Sequence, residues 1–173
     1  MSESSSYQRI FLIGFMGCGK TYWGKLWAEK SGLAFYDLDE MVEAEQGKRA
    51  AEIFAEDGED HFRNLETIAL KSFNNIDTAI VACGGGTPCF NDNIRWMNEN
   101  GTTIYLRSSP ENILIRLMTE AEKRPLIKNL QGNELQFYIE EKIKERDFFY
   151  EQAKTILDVD HLPKNFTPGF LLI

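Results

Sequence analysis

Cysteine, histidine and positive charge are all scarce in this 173-residue chain, and each shortage narrows what the chain can be. Three cysteines, Cys18, Cys83 and Cys89, are odd in number and form no C-x-x-C pair. Neither a disulfide framework nor a zinc site is expected, and a reducing compartment is. The two histidines, His61 and His161, share no metal-ligand spacing and read as surface or capping residues. Nineteen Lys and Arg against twenty-seven Asp and Glu leave a net charge of −8. That balance argues against nucleic acid or an anionic membrane surface as the main partner. No apolar run approaches the length of a bilayer span. The opening residues 1–9 are polar and serine-rich, without the apolar core of a signal peptide. Repeats, low-complexity tracts and linkers are also lacking. The expectation is one cytoplasmic domain over residues 1–173, a monomer, with a core supplied by a 43% hydrophobic composition.

What is present begins at Gly14-Phe15-Met16-Gly17-Cys18-Gly19-Lys20-Thr21. An apolar run, residues 10–13, precedes it and a segment with helical spacing, residues 23–30, follows. In that context the pattern G-x-x-x-x-G-K-[ST] is a phosphate cradle. Its glycines let successive N–H groups turn inward on an anion, and the helix start adds unpaired N–H groups and a positive dipole end. Lys20 brings a mobile cation for β- and γ-phosphates, and Thr21 a hydroxyl able to ligate Mg2+. The bland reading, a strand-to-helix turn rich in glycine, loses to this one.

Further along, strands are expected at residues 9–13, 33–36, 79–82, 103–106 and 155–159. Helices are expected at 40–46, 50–56, 59–73, 91–100, from Pro110 onward, and at 133–154. Strands alternating with helices imply a three-layer α/β/α fold with a central five-stranded parallel sheet. Between residues 121 and 132 the periodicity fails and Lys123, Arg124 and Lys128 gather, which reads as a mobile loop.

Asp37 and Asp39, two apart at the end of the second strand, are expected on one face, beyond the sheet edge where ligands bind. One can help hold Mg2+ and the other can orient a hydroxyl and take its proton. Asp39 reads equally well, taken alone, as a helix cap. Arg63 offers a planar fork for a carboxylate, with Glu66 one turn on; from this stretch alone an ordinary surface pair is the simpler account. Gly84-Gly85-Gly86 lets a main-chain N–H approach a ligand. Arg124 is either a lid arginine or part of a solvated loop. Arg116 and Arg146 read by default as surface pairs, Tyr150 as packing beside Arg146, and Glu40 and Glu43 as solvated helix face.

Together these segments resemble shikimate kinase over nearly the whole chain. The likeness lies in G-F-M-G-C-G-K-T at 14–21, D-L-D at 37–39, G-E-D-H-F-R-N-L-E at 58–66, G-G-G at 84–86, R-P-L-I at 124–127 and R-D-F-F-Y at 146–150. The resemblance implies a P-loop kinase fold of the nucleoside-monophosphate-kinase type, with a lid at about 121–132 and a substrate-binding region at about 38–66. It implies transfer of the γ-phosphate of ATP to the 3-hydroxyl of shikimate, with Mg2+ as cofactor. ATP then meets Gly17, Cys18, Gly19, Lys20, Thr21, Tyr22, Arg116 and Arg124, and the metal meets Thr21 and Asp37. Shikimate meets Asp39, Arg63, Gly84, Gly85, Gly86 and Arg146, with Lys20, Asp39 and Arg124 catalytic. Residues 165–168 resemble the adenine-side loop. Cys83 stands where a small hydroxyl residue is common, which puts hydrogen bonding near the glycines in question. The alternatives are another small-molecule P-loop kinase, acting on gluconate or a nucleoside monophosphate, and a silent nucleotide-binding module that regulates a partner.

Overall fold

The computed structural model describes residues 8–119, 127 and 129–171. Five strands, β1 (Gln8–Ile13), β2 (Phe35–Asp37), β3 (Thr78–Ala82), β4 (Thr102–Arg107) and β5 (Thr155–Asp158), form one parallel sheet in the order β2-β3-β1-β4-β5. The helices are α1 (Lys20–Ser31), α2 (Leu38–Gln46), α3 (Ala50–Asp57), α4 (Glu59–Lys71), α5 (Asn93–Asn100), α6 (Pro110–Met118) and α7 (Gly132–Tyr150).

Alternation along the strands sorts the core into two layers. Ile10, Leu12, Ile80, Ile104 and Leu106 turn to one face, where they meet Trp23, Trp27 and Ala28 of α1 and Leu171 near the C-terminus. Phe11, Ile13, Ala79, Val81 and Tyr105 turn to the other, against apolar residues of α2 through α7. A sheet covered on both faces requires strands apolar throughout, and β1 and β3 are buried accordingly.

Register sets up the site. Leu12 pairs with Ala82, and Ala82 in turn with Asp37, so the loops after β1, β2 and β3 leave the sheet side by side at its carboxyl edge. In parallel sheets that edge, where strand order reverses about β1, is the ligand crevice.

Several expectations are corrected. Helix α2 begins at Leu38, so Asp39 lies on its first turn, not on a strand beside Asp37. The cap is Asp37, whose Oδ1 accepts from the N–H groups of Asp39 and Glu40. Helix α5 starts at Asn93 because Asn91 and Asp92 adopt left-handed φ of 51° and 56°. Helix α7 ends at Tyr150; the turn beyond it is held by Asn98 on the Gln152 carbonyl and by the Lys154 N–H on Thr103. A short 3-10 turn at Thr87–Cys89 had no sequence expectation. Glu43 is not merely solvated: its Oε1 accepts from the Ala50 N–H at the start of α3.

Candidate active site

The loop between β1 and α1 reverses through Gly17 and Gly19, at φ 79° and 100°, and Gly19 caps α1. A side chain there would hold the backbone in a region that L residues avoid. The Lys20 ammonium donates to the carbonyls of Gly14 and Phe15 at 2.7 and 2.9 Å, which keeps it at the mouth of the loop. Thr21 Oγ1 donates to Asp37 Oδ2 at 3.0 Å, pairing two hard oxygens beside the cradle. Among the described residues no cluster of three or more His, Cys, Asp or Glu would bind a metal unaided. The Thr21 and Asp37 oxygens suit Mg2+, which keeps its waters and takes few protein ligands beside nucleotide phosphates.

A cleft of about 700 Å³ opens over this loop and reaches Asp37, Asp39, Gly84 and Gly85, with Arg116, Leu162 and Lys164 on its far side. Tyr22 lines it too, half-exposed, its hydroxyl donating to the Lys164 carbonyl. Arg116 is no simple surface pair. It donates to Gly17 O (3.1 Å), Ser108 Oγ (3.2 Å) and Asp160 Oδ1 (3.3 Å), tying the phosphate loop to the ends of β4 and β5. Burial works against the Asp160 charge, but bonds from Ser108 and Ser109 and the Arg116 charge win and pull its pKa to about 2. Residues 165–168 lie over α1, where the Lys30 ammonium meets Asn165 O and the Trp27 indole donates to Phe166 O.

A second, smaller pocket of about 160 Å³ lies against the first, between α3, α4, the glycine triplet and α7. Phe54, Phe62 and Met16 give it apolar walls, and Arg63 and Arg146 give it charge. Arg63 is buried, contrary to the surface-pair reading. Its Nη1 meets Glu66 Oε2 at 2.6 Å, while Nε and Nη2 meet the half-exposed Glu59 at 3.2 and 3.0 Å. Burial opposes its charge, yet Glu66 and Glu59 hold its pKa above the usual value. The Phe90 ring centroid lies 4.7 Å from the guanidinium carbon, a cation–π contact. Glu66 is 1% exposed, and its second oxygen accepts from Thr87 Oγ1 at 2.7 Å. Arg146 lies over the Phe15 ring, 5.6 Å from its centroid.

The glycine triplet makes room for these groups. A Cβ on Gly84 would sit 2.4 Å from Glu66 Oε1 and 2.9 Å from Asp39 Oδ1, and one on Gly86 would sit 2.6 Å from the Arg63 guanidinium. Neither glycine has a positive φ, so the requirement is space. Cys83, just before them, turns its sulfur to Met97 Sδ and the Val81 carbonyl.

Asp39 lines both chambers. Burial first, then the Glu66 and Asp37 charges, raise its pKa to about 7, with Lys20 and Arg63 pulling the other way. A carboxylate poised near neutrality beside a phosphate cradle is suited to take a proton from a hydroxyl. The structure thus brings together Lys20, Thr21, Asp37, Asp39, Arg63, Arg146 and the glycines. Arg124, and most of the expected lid, lie outside the described residues. Sequence reasoning missed Thr87, Phe90 and Asp160 as supports, and the bond from Tyr150 to Gly85, since each acts across a long stretch of chain.

Known proteins agree with this geometry. A family model described as shikimate kinase matches residues 16–167. A shikimate kinase from Parabacteroides distasonis is 40% identical over 155 residues, 90% of each chain. The crystal structure of shikimate kinase from Bacteroides thetaiotaomicron superimposes with a TM-score of 0.86 at 36% identity, covering 95% of this chain and 92% of that one. Shikimate kinase from Acinetobacter baumannii in complex with shikimate gives 0.83 at 30% identity, over 93% and 88%. On likeness of this extent in both sequence and fold, the chain belongs to the shikimate kinase family.

Proposed function

We propose that the chain moves the γ-phosphoryl group of ATP to the 3-hydroxyl of shikimate, with the two substrates in the two chambers and Asp39 at their shared wall. The observation that carries this reading is Asp39 itself, placed between a phosphate cradle and a pocket of paired arginines. Arg63 and Arg146 take the acid's carboxylate, which replaces the half-exposed Glu59 on the outer edge of Arg63. The acceptor hydroxyl then points at Asp39, which takes its proton as the oxygen bonds to the γ-phosphorus. The bond from that phosphorus to the β–γ bridging oxygen breaks, and ADP leaves. Lys20 offsets charge on the transferred group, and Arg124 is assigned the same duty from the family likeness. Thr21, and Asp37 through water, would hold Mg2+, which screens the β- and γ-phosphates. Backbone N–H groups of residues 84–86 are assigned to the acceptor, and Tyr22 and Arg116 to the nucleotide. No described helix is long and apolar enough to cross a membrane, and small-molecule substrates suffice for the activity.

A coupled ADP-release assay offering shikimate, gluconate, AMP and CMP tests the assignment. Turnover is expected with shikimate alone. The Asp39→Asn variant should still bind ATP and transfer almost nothing. Preference for another acceptor, or near-normal turnover in the variant, would overturn the reading.

A further inference from the structure

Tyr150 closes α7, and its side chain is fully buried. The ring packs on Tyr105 with centroids 5.0 Å apart. Its hydroxyl donates to the Gly85 carbonyl at 2.6 Å, joining α7 to the glycine triplet across 65 residues of sequence. Arg146, one helical turn earlier, lies against the same glycine, since a Cβ on Gly85 would sit 3.3 Å from its Nη1. A phenol oxygen has one proton to give and lone pairs with which to receive. Burial pushes the phenol's pKa far up, with the Arg146 charge only partly opposing it, so the proton that reaches Gly85 stays in place at neutral pH.

Arg63 and Arg146 differ in what steadies them. Arg63 is gripped by two glutamates. Among the described residues no ion pair holds Arg146, which has instead the Phe15 ring on one side and Gly85, the glycine that Tyr150 bonds, on the other. A long side chain that is not held in advance loses rotamer freedom when its ligand arrives, and affinity falls accordingly. We propose that Tyr150 is a positioning residue for the acid acceptor: its hydroxyl locks the Gly85 carbonyl to α7 and aims the Arg146 fork into the small pocket. This rests on reading that pocket as the acceptor site, with Arg146 on the carboxylate.

Tyr150→Phe keeps the ring and removes one oxygen. The KM for shikimate is expected to rise about tenfold. The kcat and the KM for ATP should stay within about twofold, with a modest fall in thermal midpoint for the lost bond to Gly85. Arg146→Ala is measured beside it, and both variants are also given an acceptor whose carboxylate is replaced by a hydroxymethyl group. On that acceptor Tyr150→Phe should match wild type, because the group it acts through has lost its partner. If Arg146→Ala raises the shikimate KM and Tyr150→Phe leaves it unchanged, the inference falls and the reading of the pocket stands. If Arg146→Ala also leaves it unchanged, both fall. A Tyr150→Phe penalty that persists on the carboxylate-free acceptor, or weighs equally on ATP, overturns the inference and marks the bond as purely structural.

Discussion

At Asp39 the needs of chemistry and of folding diverge. Its carboxyl carries a pKa of about 7 in the folded chain against an ordinary 3.8. Between those values the folded state keeps a proton that the unfolded chain has released. The group's contribution is therefore most favourable below about pH 4 and is lost as pH rises through about 7. Asp39→Asn should unfold later than wild type at pH 8, by on the order of 2–4 kcal/mol, and the gain should vanish near pH 4. Chemical denaturation at the two pH values measures this; equal stability at pH 8 would refute the crowding argument. Gly84 offers a second trial. A methyl group there presses on the carboxyl ends of Asp39 and of Glu66, whose oxygens are already bonded, not on backbone, so Gly84→Ala should keep the fold and lose about a hundredfold in kcat. A kcat near wild type would mean that the carboxylates had room to move aside.

Among elements, those with local rules were legible from sequence. The glycines and lysine after an apolar run marked the phosphate loop, and five apolar stretches marked the five strands. The start of α2 was misplaced because capping by Asp37 is decided by its own backbone, at φ −106°, and by Thr21 sixteen residues earlier. The Arg63–Glu66 pair looked superficial because its burial comes from the Gly84–Phe90 turn, which local spacing does not reach. Residues 165–168 are held just as remotely, by Trp27 near the other end of the chain. That indole, fully buried, donates to Phe166 O at 2.9 Å and so fixes how α1 seats behind the phosphate cradle. Trp27→Phe should cost about 1–3 kcal/mol and raise the KM for ATP more than that for shikimate. Steady-state kinetics alongside thermal unfolding checks it, and a larger effect on shikimate would contradict the proposed link.

For the molecule as a whole, a net charge of −8 gives no general attraction for anionic substrates. On the proposed reading capture falls to Lys20, Arg63, Arg116 and Arg146, all of which line the two chambers. Met16, Asp39, Gly84 and Gly85 line both chambers, so part of the wall they share carries no side chain. For inhibitor chemistry this means that an adenosine-like head and a cyclic acid can be joined in one compound, provided the tether is slim where it passes the glycines. Tethering makes the second docking event intramolecular, so the compound should bind at least about a hundredfold more tightly than either half. Calorimetry on the halves, the slim-tethered compound and one with a branched tether would measure that gain, and the branched version should forfeit it.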